Sequence, residues 1–166
     1  MIITKEHYLQ DKSRTEFLNK AFANGISNIK EYLDLNEKLN ENEENTLVLP
    51  MGDTFNDIKR LLERGQFFEG KSTLFLMEAS RCHDNAINYY LWYKDNEPDV
   101  KVEIVTGYAL NKDGLWRSHT LILVEDEKII ETTETRLKYF GVILKENFKD
   151  QDFPNAKNEI ESFIVN

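Results

Sequence analysis

Apolar residues recur every three or four positions within residues 1–45, as they do along one face of an α-helix. Ser13 and Glu16 stand three residues apart and form a capping box, which predicts the start of a first helix. The dipeptide "NG" ends that helix, and Ser27 begins a second one. A third helix is predicted after Thr54. We therefore expect residues 1–45 to form a helical layer at the N-terminal side of the fold.

The helical period continues after Ser80 until Pro98 ends the helix. The pattern then alternates and is rich in β-branched residues, which predicts strands at "VKVEIVTGYAL", "HTLILVE" and "KIIETT". The segments "NKDGLWRS" and "DE" are predicted to be the connections between them, and "QFFE" a loop with two exposed phenylalanines. A last helix is predicted from Asn155 to Ile164. Helices followed by a strand meander predict an α+β fold, with an antiparallel sheet of at least three strands.

Charge narrows the range of partners. The chain has 30 Asp and Glu against 21 Lys and Arg, a net charge of −9. Broad binding to nucleic acid needs a basic face, and docking on anionic membranes needs positive charge, so neither partner is expected. No apolar run reaches the roughly 20 residues of a membrane span. With 166 residues the chain fits a single domain, residues 1–166.

The chain contains one cysteine, Cys82, so an internal disulfide is not possible. The N-terminal sequence has no apolar core after a basic start, as a secretory signal would, and a lone thiol suits a reducing cytoplasm. We therefore expect a cytoplasmic protein. The abundance of Lys, Asn, Ile and Glu is typical of AT-rich bacterial or viral genomes. No Gly-rich phosphate loop is present, so no organic cofactor is expected.

Cys82 lies at the start of the helix that follows Ser80, the predicted N-cap. A thiol attacks as its thiolate, and the positive end of a helix dipole or a nearby imidazolium lowers its pKa from about 8.5. His83 is the next residue on the helix and does not share a face with Cys82. His119, at the predicted start of a strand, could project over the sheet end towards the helix terminus. His7 is interpreted as a surface residue.

A histidine that acts as a base needs a group to orient it. Glu131 lies on the strand after His119, twelve positions later, next to Ile129 and Ile130. A loop with an odd number of residues between the two strands places His119 and Glu131 on the same sheet face, and a two-residue loop places them on opposite faces. The sequence leaves both lengths open, because both faces of "LILV" are apolar.

Several short motifs occur in a recognisable order. "CHDNA" at the helix start, "GYAL", "DGLWRSHTLILV", "IIETT" and "KYFG" together resemble papain-like cysteine hydrolases over residues 80–141. That superfamily includes bacterial cell-wall amidohydrolases, transglutaminase-like proteins and small bacterial and phage proteins. The glutamine that precedes the cysteine in papain has no counterpart in this chain, where Met77, Glu78 and Ala79 stand.

The resemblance implies a papain-like domain in which residues 80–141 form the catalytic core. It makes Cys82 the nucleophile, His119 the base and then the acid, and Glu131 the residue that orients His119. The activity implied is acyl transfer from a peptide, amide, ester or thioester substrate, ending in hydrolysis or in transfer to an amine. Candidates for a second oxyanion donor are Asn85, Gln66 and His83, and candidates for pocket walls are Trp116 and Tyr139.

Two other interpretations fit the same residues. Cys82, His83, His119 and Glu131 have the chemistry of zinc ligands, but paired ligands at structural spacing are missing, so no metal site is predicted. Alternatively, the chain is a catalytically inactive papain-like binding or interaction module, in which Cys82 is a small buried apolar residue.

Overall fold

The computed structural model describes residues 29–41, 46–49 and 55–144 of the chain. The first predicted helix, with Ser13 and Glu16, the predicted start of the second helix at Ser27, the capping residue Thr54 and the helix predicted at Asn155–Ile164 lie outside these ranges. The described helices are α1 (Ile29–Asn40), α2 (Phe55–Arg64) and α3 (Cys82–Asn96). The described strands are β1 (Leu47–Val48), β2 (Gln66–Phe68), β3 (Lys71–Leu74), β4 (Val102–Leu110), β5 (Leu115–Val124), β6 (Lys128–Glu131) and β7 (Lys138–Leu144). These elements form an α+β fold, as predicted.

The sheet is mixed rather than purely antiparallel. Its strand order is β2-β7-β4-β5-β6-β3, and β1 pairs with β5 outside this path. The predicted meander β4-β5-β6 is antiparallel, whereas β3 pairs with β6 and β1 pairs with β5 in parallel. Only residues 69 and 70 separate β2 from β3, although these are the two ends of the path, so the sheet curls and encloses one of its faces.

The strands place alternate residues on an inner, concave face and an outer face. The inner face carries an apolar cluster: Phe68, Val105, Ala109, Leu121, Leu123, Ile129 and Tyr139. On the outer face α3 packs on a second cluster that includes Ile104, Ile122 and Ile130. A third cluster joins α1 and α2 to the outer face through Tyr108, Trp116 and Phe140. The three described helices thus cover the outer face of the sheet. The inner face surrounds the apolar cluster that its own side chains form.

Two glycines allow the sheet to curve sharply beside β7. A Cβ at Gly107 would lie 2.3 Å from a carbonyl oxygen of Phe140, and one at Gly141 would lie 2.5 Å from that of Thr106. These are backbone atoms of neighbouring strands, so any larger side chain would force the strands apart. The close approach therefore requires glycine at both positions.

Three local predictions were wrong. The segment "QFFE" is strand β2 in large part, with Phe67 46% exposed and Phe68 buried. Strand β5 begins at Leu115, so His119 lies inside the strand rather than at its start. Ser80 does not cap α3, because the N-cap is Arg81 and Ser80 adopts a left-handed backbone conformation with φ of 61°.

Candidate active site

His119 and Glu131 contact each other on the inner face of the sheet. Val124 pairs with Lys128, so the connection between β5 and β6 has three residues, 125–127, and both side chains point to the same side. The distances from His119 Nε2 to the two carboxylate oxygens of Glu131 are 2.9 and 3.1 Å. Both residues are buried, at 3% and 0% exposure. Nε2–H therefore donates to the carboxylate, and this bond fixes the ring orientation and its tautomer.

The N-terminus of α3 lies beside an open stretch of the β5 edge. Strand β1 pairs with Leu115 and Trp116, and β6 pairs with residues 122–124. Among the described residues no strand lies beside 118–121 on this side of β5. In this stretch the backbone N–H of Thr120 donates a hydrogen bond to the thiol of Cys82. The gap in strand pairing thus lets a residue of the outer helix reach the edge of the inner face.

The position of the first turn of α3 is fixed by contacts of the residues that follow Cys82. The next residue, His83, places its Nδ1 2.6 Å from Oγ1 of Thr120. The Thr120 hydroxyl also lies 2.9 Å from that of Thr106 on β4. Further along the helix Ala86, Ile87 and Tyr90 are buried against the outer face. Cys82 itself is intermediate in exposure. It is therefore held in place while it remains open to solvent.

The pKa values of Cys82 and His119 move in opposite directions. Burial alone would raise the pKa of the Cys82 thiol, but hydrogen bonding to His119, the charge of that ring, the Thr120 amide and the charge of Arg136 lower it below its usual value. Burial alone would lower the pKa of His119, but interaction with the Cys82 thiol and with Glu131 raises it to about 9. These shifts favour a thiolate beside an imidazolium.

The contact between the ring and the thiol is looser than that between the ring and the carboxylate. Nε2 of His119 is held by Glu131, which leaves Nδ1 as the nitrogen that faces Cys82. Nδ1 is buried and forms no hydrogen bond of standard geometry with a described residue. Long contacts of this kind are common in sites without substrate and tighten when substrate binds.

The backbone at the start of α3 adds positive potential at the sulfur. The N-cap residue, Arg81, provides no side-chain hydrogen bond to the first turn. Its guanidinium instead binds Glu78 and Asp84 on the protein surface. The first N–H groups of the helix therefore keep their partial positive charge, which stabilises a negative charge on Cys82 or on a substrate atom bound beside it.

Two of the proposed oxyanion donors have other roles. The side-chain amide of Asn85 is buried and donates to the carbonyl of Glu78 at 2.7 Å, which anchors the segment before α3. The His83 ring is engaged with Thr120. Neither side chain is aimed at the space in front of the sulfur while these bonds are in place.

Gln66 lies on β2, at one end of the strand order. Gln66 is exposed. It pairs with Gly141 on β7, Gly141 pairs with Gly107 on β4, and Gly107 pairs with His119 on β5. Gln66 and His119 are thus three strands apart, about 14 Å at the usual strand spacing. The strand order places Gln66 away from His119 along the sheet, and its assignment as an oxyanion donor stays a prediction.

The two proposed aromatic walls differ in their positions. Trp116 is a β5 residue with 0% exposure on the outer face, packed against the helices, so it is a core residue and not a pocket wall. Tyr139 is on the inner face, with its hydroxyl 3.4 Å from Oγ of Ser72. Burial, together with the charge of and a hydrogen bond to Glu131, raises the pKa of Tyr139 to about 12. Tyr139 thus belongs to the polar surroundings of Glu131.

Sequence reasoning missed Thr120 and Arg136. Thr120 acts through its backbone N–H, which no side-chain motif reveals. Arg136 lies in the connection between β6 and β7, and its charge lowers the pKa of Cys82. Its side chain is only 9% exposed. A single arginine among 21 basic residues carries no signal in the sequence, so its role becomes evident only from the fold.

Wider comparisons do not assign the chain to a family. Among the described residues no group of three or more His, Cys, Asp and Glu side chains is arranged to hold a metal ion. None of the described helices is long and apolar enough to cross a membrane. Comparison of the chain with protein-family models, with curated proteins and with solved structures gave no match.

Proposed function

We propose that this protein is a cysteine-dependent acyl-transfer enzyme that cleaves a peptide, amide, ester or thioester bond. The observation that carries the proposal is the position of His119, a buried ring that is held by the Glu131 carboxylate on one side and interacts with the Cys82 thiol on the other. A histidine between a thiol and a carboxylate is the arrangement that activates a cysteine nucleophile. The resemblance of residues 80–141 to papain-like hydrolases supports the same chemistry.

At the start of the reaction, the proton of the Cys82 thiol is already on the imidazole ring of His119. The Cys82 thiolate attacks the carbonyl carbon of the substrate, a C–S bond forms, and the carbonyl π electrons move to oxygen. When the tetrahedral intermediate collapses, the bond to the leaving group breaks, and His119 donates its proton to that group. The product is a thioester on Cys82 and a neutral imidazole ring.

The second half of the reaction reverses these roles. His119 accepts a proton from water, the resulting hydroxide attacks the thioester, and the acid is released while the thiolate is regenerated. An amine in place of water gives a transferase. Throughout, Glu131 keeps Nε2 protonated and the ring in one orientation, so that Nδ1 is the atom that exchanges protons.

The oxyanion that forms in both halves needs donors beside the sulfur. Backbone N–H groups meet this need best, because Asn85 and His83 are engaged elsewhere. The N–H groups in the first turn of α3 lie next to Cys82 and have no side-chain cap. Donors fixed in the backbone require no reorganisation when the charge develops. We assign the oxyanion to these groups.

The test is capture of the acyl-enzyme with p-nitrophenyl acetate, a small activated ester that makes few demands on a binding pocket. We expect a burst of p-nitrophenolate near pH 7 and an intact mass that shows one acetyl group on Cys82. His119→Ala should abolish the burst, and Cys82→Ala should abolish the mass change. If wild-type Cys82 is acetylated no faster than free cysteine, the proposal is wrong and the inactive binding module becomes the better interpretation.

A further inference from the structure

Arg136 is a buried cation with an incomplete set of partners. It lies in the connection between β6 and β7, and its side chain is 9% exposed. Nη1 binds Glu134 at 2.7 Å and the side-chain oxygen of Asn111, and Nη2 lies 3.3 Å from the Thr133 hydroxyl. Glu134 is 62% exposed, so the ion pair is open to water on one side only. The guanidinium is therefore held firmly from one end.

The opposite edge of the same guanidinium is unused. Nε of Arg136 is buried and has no hydrogen-bond partner among the described residues. The hydroxyl of Thr132, four residues earlier in the same connection, is likewise buried without a partner in that set. A buried donor left unsatisfied costs about 1–3 kcal/mol. Two such groups in one short connection are best explained by a ligand that binds there.

The unused edge has a defined chemical preference. Nε–H and a hydrogen of Nη2 form the side-on fork of a guanidinium, and a carboxylate accepts from such a fork through both oxygens. Nη1 is engaged by Glu134 and Asn111 and Nη2 contacts Thr133, so Nε–H is the donor without a partner among the described residues. Lysine could not supply this planar pair of donors.

This connection also lies close to the reacting groups. It begins directly after Glu131, and the backbone N–H of Arg136 donates to the hydroxyl of Tyr139 beside that carboxylate. The positive charge of Arg136 also lowers the pKa of the Cys82 thiol. Thr132 directly follows Glu131, the hydrogen-bond partner of His119, so a group bound at Arg136 and Thr132 would lie beside the candidate catalytic residues.

We propose that Arg136, aided by the Thr132 hydroxyl, binds a carboxylate that the substrate carries close to the bond that is cleaved. The inference rests on the proposed function and narrows it to acyl compounds with a neighbouring carboxylate. It adds Arg136 as a specificity-determining residue. Its side-on fork fixes the substrate by its negative group while Cys82 attacks the neighbouring carbonyl carbon.

Two alkylating reagents of nearly equal size test the inference directly. Iodoacetate and iodoacetamide both react when the thiolate forms a C–S bond and iodide leaves, and they differ in a carboxylate or a carboxamide next to the reacting carbon. The ratio of their rates at Cys82 cancels changes in thiolate population, since both reagents need the thiolate. We expect the ratio of the iodoacetate rate to the iodoacetamide rate to be about tenfold or more higher at Cys82 than at free cysteine, which corresponds to one charge-assisted hydrogen bond.

Arg136→Gln should remove most of that preference, and Arg136→Lys should keep part of it, because lysine retains the charge without the fork. The matched control is Arg117→Gln, which removes the same charge from a nearby guanidinium that Asp113 binds at 2.7 and 2.9 Å. The positive charge of His119 also attracts iodoacetate, but it is present in all four proteins. Thermal unfolding of each variant checks that it is folded, and Arg136→Lys provides a second reading if Arg136→Gln does not fold.

The outcomes separate the inference from the proposed function. Rapid reaction of Cys82 with iodoacetamide, together with a rate ratio that Arg136→Gln leaves unchanged, would overturn the role of Arg136 and leave the nucleophile intact. An equal loss in Arg117→Gln would also overturn it, because the preference would then come from general charge at the site. Slow reaction of Cys82 with both reagents would overturn both proposals.

Discussion

The substitution Glu131→Gln isolates the charge that a buried carboxylate places beside His119. Glutamine has nearly the same shape and still accepts a hydrogen bond from Nε2, so the packing of the inner face is retained. The change removes a negative charge 2.9 Å from a ring whose side chain is only 2% exposed. The pKa of His119 should report this loss directly.

The expected magnitude follows from the raised pKa of His119. Burial would lower this pKa, but interaction with the Cys82 thiol and with Glu131 raises it from 6.5 to about 9. The difference corresponds to on the order of 3 kcal/mol in favour of the imidazolium. Since two groups share this effect, loss of the Glu131 charge should lower the pKa of His119 by about one unit or more.

The assay is an NMR titration of the histidine ring signals from about pH 5 to about pH 10. His119→Ala assigns the signal by its absence. The matched control is Glu127→Gln, which removes an exposed carboxylate from the connection between β5 and β6 and should leave the pKa of His119 unchanged. The reasoning is refuted if wild-type His119 titrates near 6.5, or if Glu131→Gln and Glu127→Gln give the same value.

Three further predictions concern stability. In the wild type, the raised pKa of His119 stabilises the fold fully below about pH 6.5, and this stabilisation is lost as pH rises through about 9. The lowered pKa of Cys82 has the opposite dependence, because its stabilisation of the fold increases as pH rises. Cys82→Ala removes the second contribution and leaves of the first only the part that Glu131 supplies, so its free energy of unfolding in urea should fall by about 1 kcal/mol over that interval, and a flat profile would contradict the assignment. Tyr139→Phe removes a hydroxyl beside Glu131 and should cost about 1 kcal/mol in the same assay, with no loss if the hydroxyl makes no contribution. Gly107→Ala would bring a Cβ to 2.3 Å from a backbone oxygen and should cost more than about 2 kcal/mol, so a change within experimental error would show that the sheet is not as tightly curved there.

The strand meander could be predicted because its pattern is local, whereas the rest of the sheet depends on distant pairing. Strand β4 alternates over its whole length and was recognised from that pattern. Strand β7 was missed, because "RLKYFGVILKENF" mixes polar and apolar residues and its strand forms by pairing with β4 and β2. Strand β2 has only three residues and read as a loop for the same reason.

The site depended on details that the residue pattern does not contain. The inner-face position of Glu131 relative to His119 followed from a three-residue connection in which Glu125 and Asp126 have φ of 52° and 60°. The letters "EDE" lack the Gly or Asn that usually signals such a turn. Strand β5 begins at Leu115, earlier than predicted. The prediction started the strand too late because Arg117 and Ser118 are adjacent polar residues that interrupt the alternation.

The assignment of Trp116 as a pocket wall was wrong because it rested on closeness in sequence to His119. Trp116 stands three residues before His119 but points to the outer face, because side chains alternate along a strand. Gln66 lies in the same row as His119 across the sheet, with two strands between them. The Cys82, His119 and Glu131 assignment used chemistry and order along the chain, and the geometry of these residues is the basis of the proposal made above.

The most direct test of the central claim is the rate at which iodoacetamide alkylates Cys82 as a function of pH, in the wild type and in His119→Ala. An ordinary thiol with a pKa of about 8.5 is roughly 1% ionised at about pH 6.5, and its rate falls about tenfold for each unit below its pKa. We predict that the wild-type rate at about pH 6.5 lies well above that of an ordinary thiol, and that the His119→Ala rate follows the ordinary thiol curve. If both proteins follow that ordinary curve, Cys82 is not an activated nucleophile.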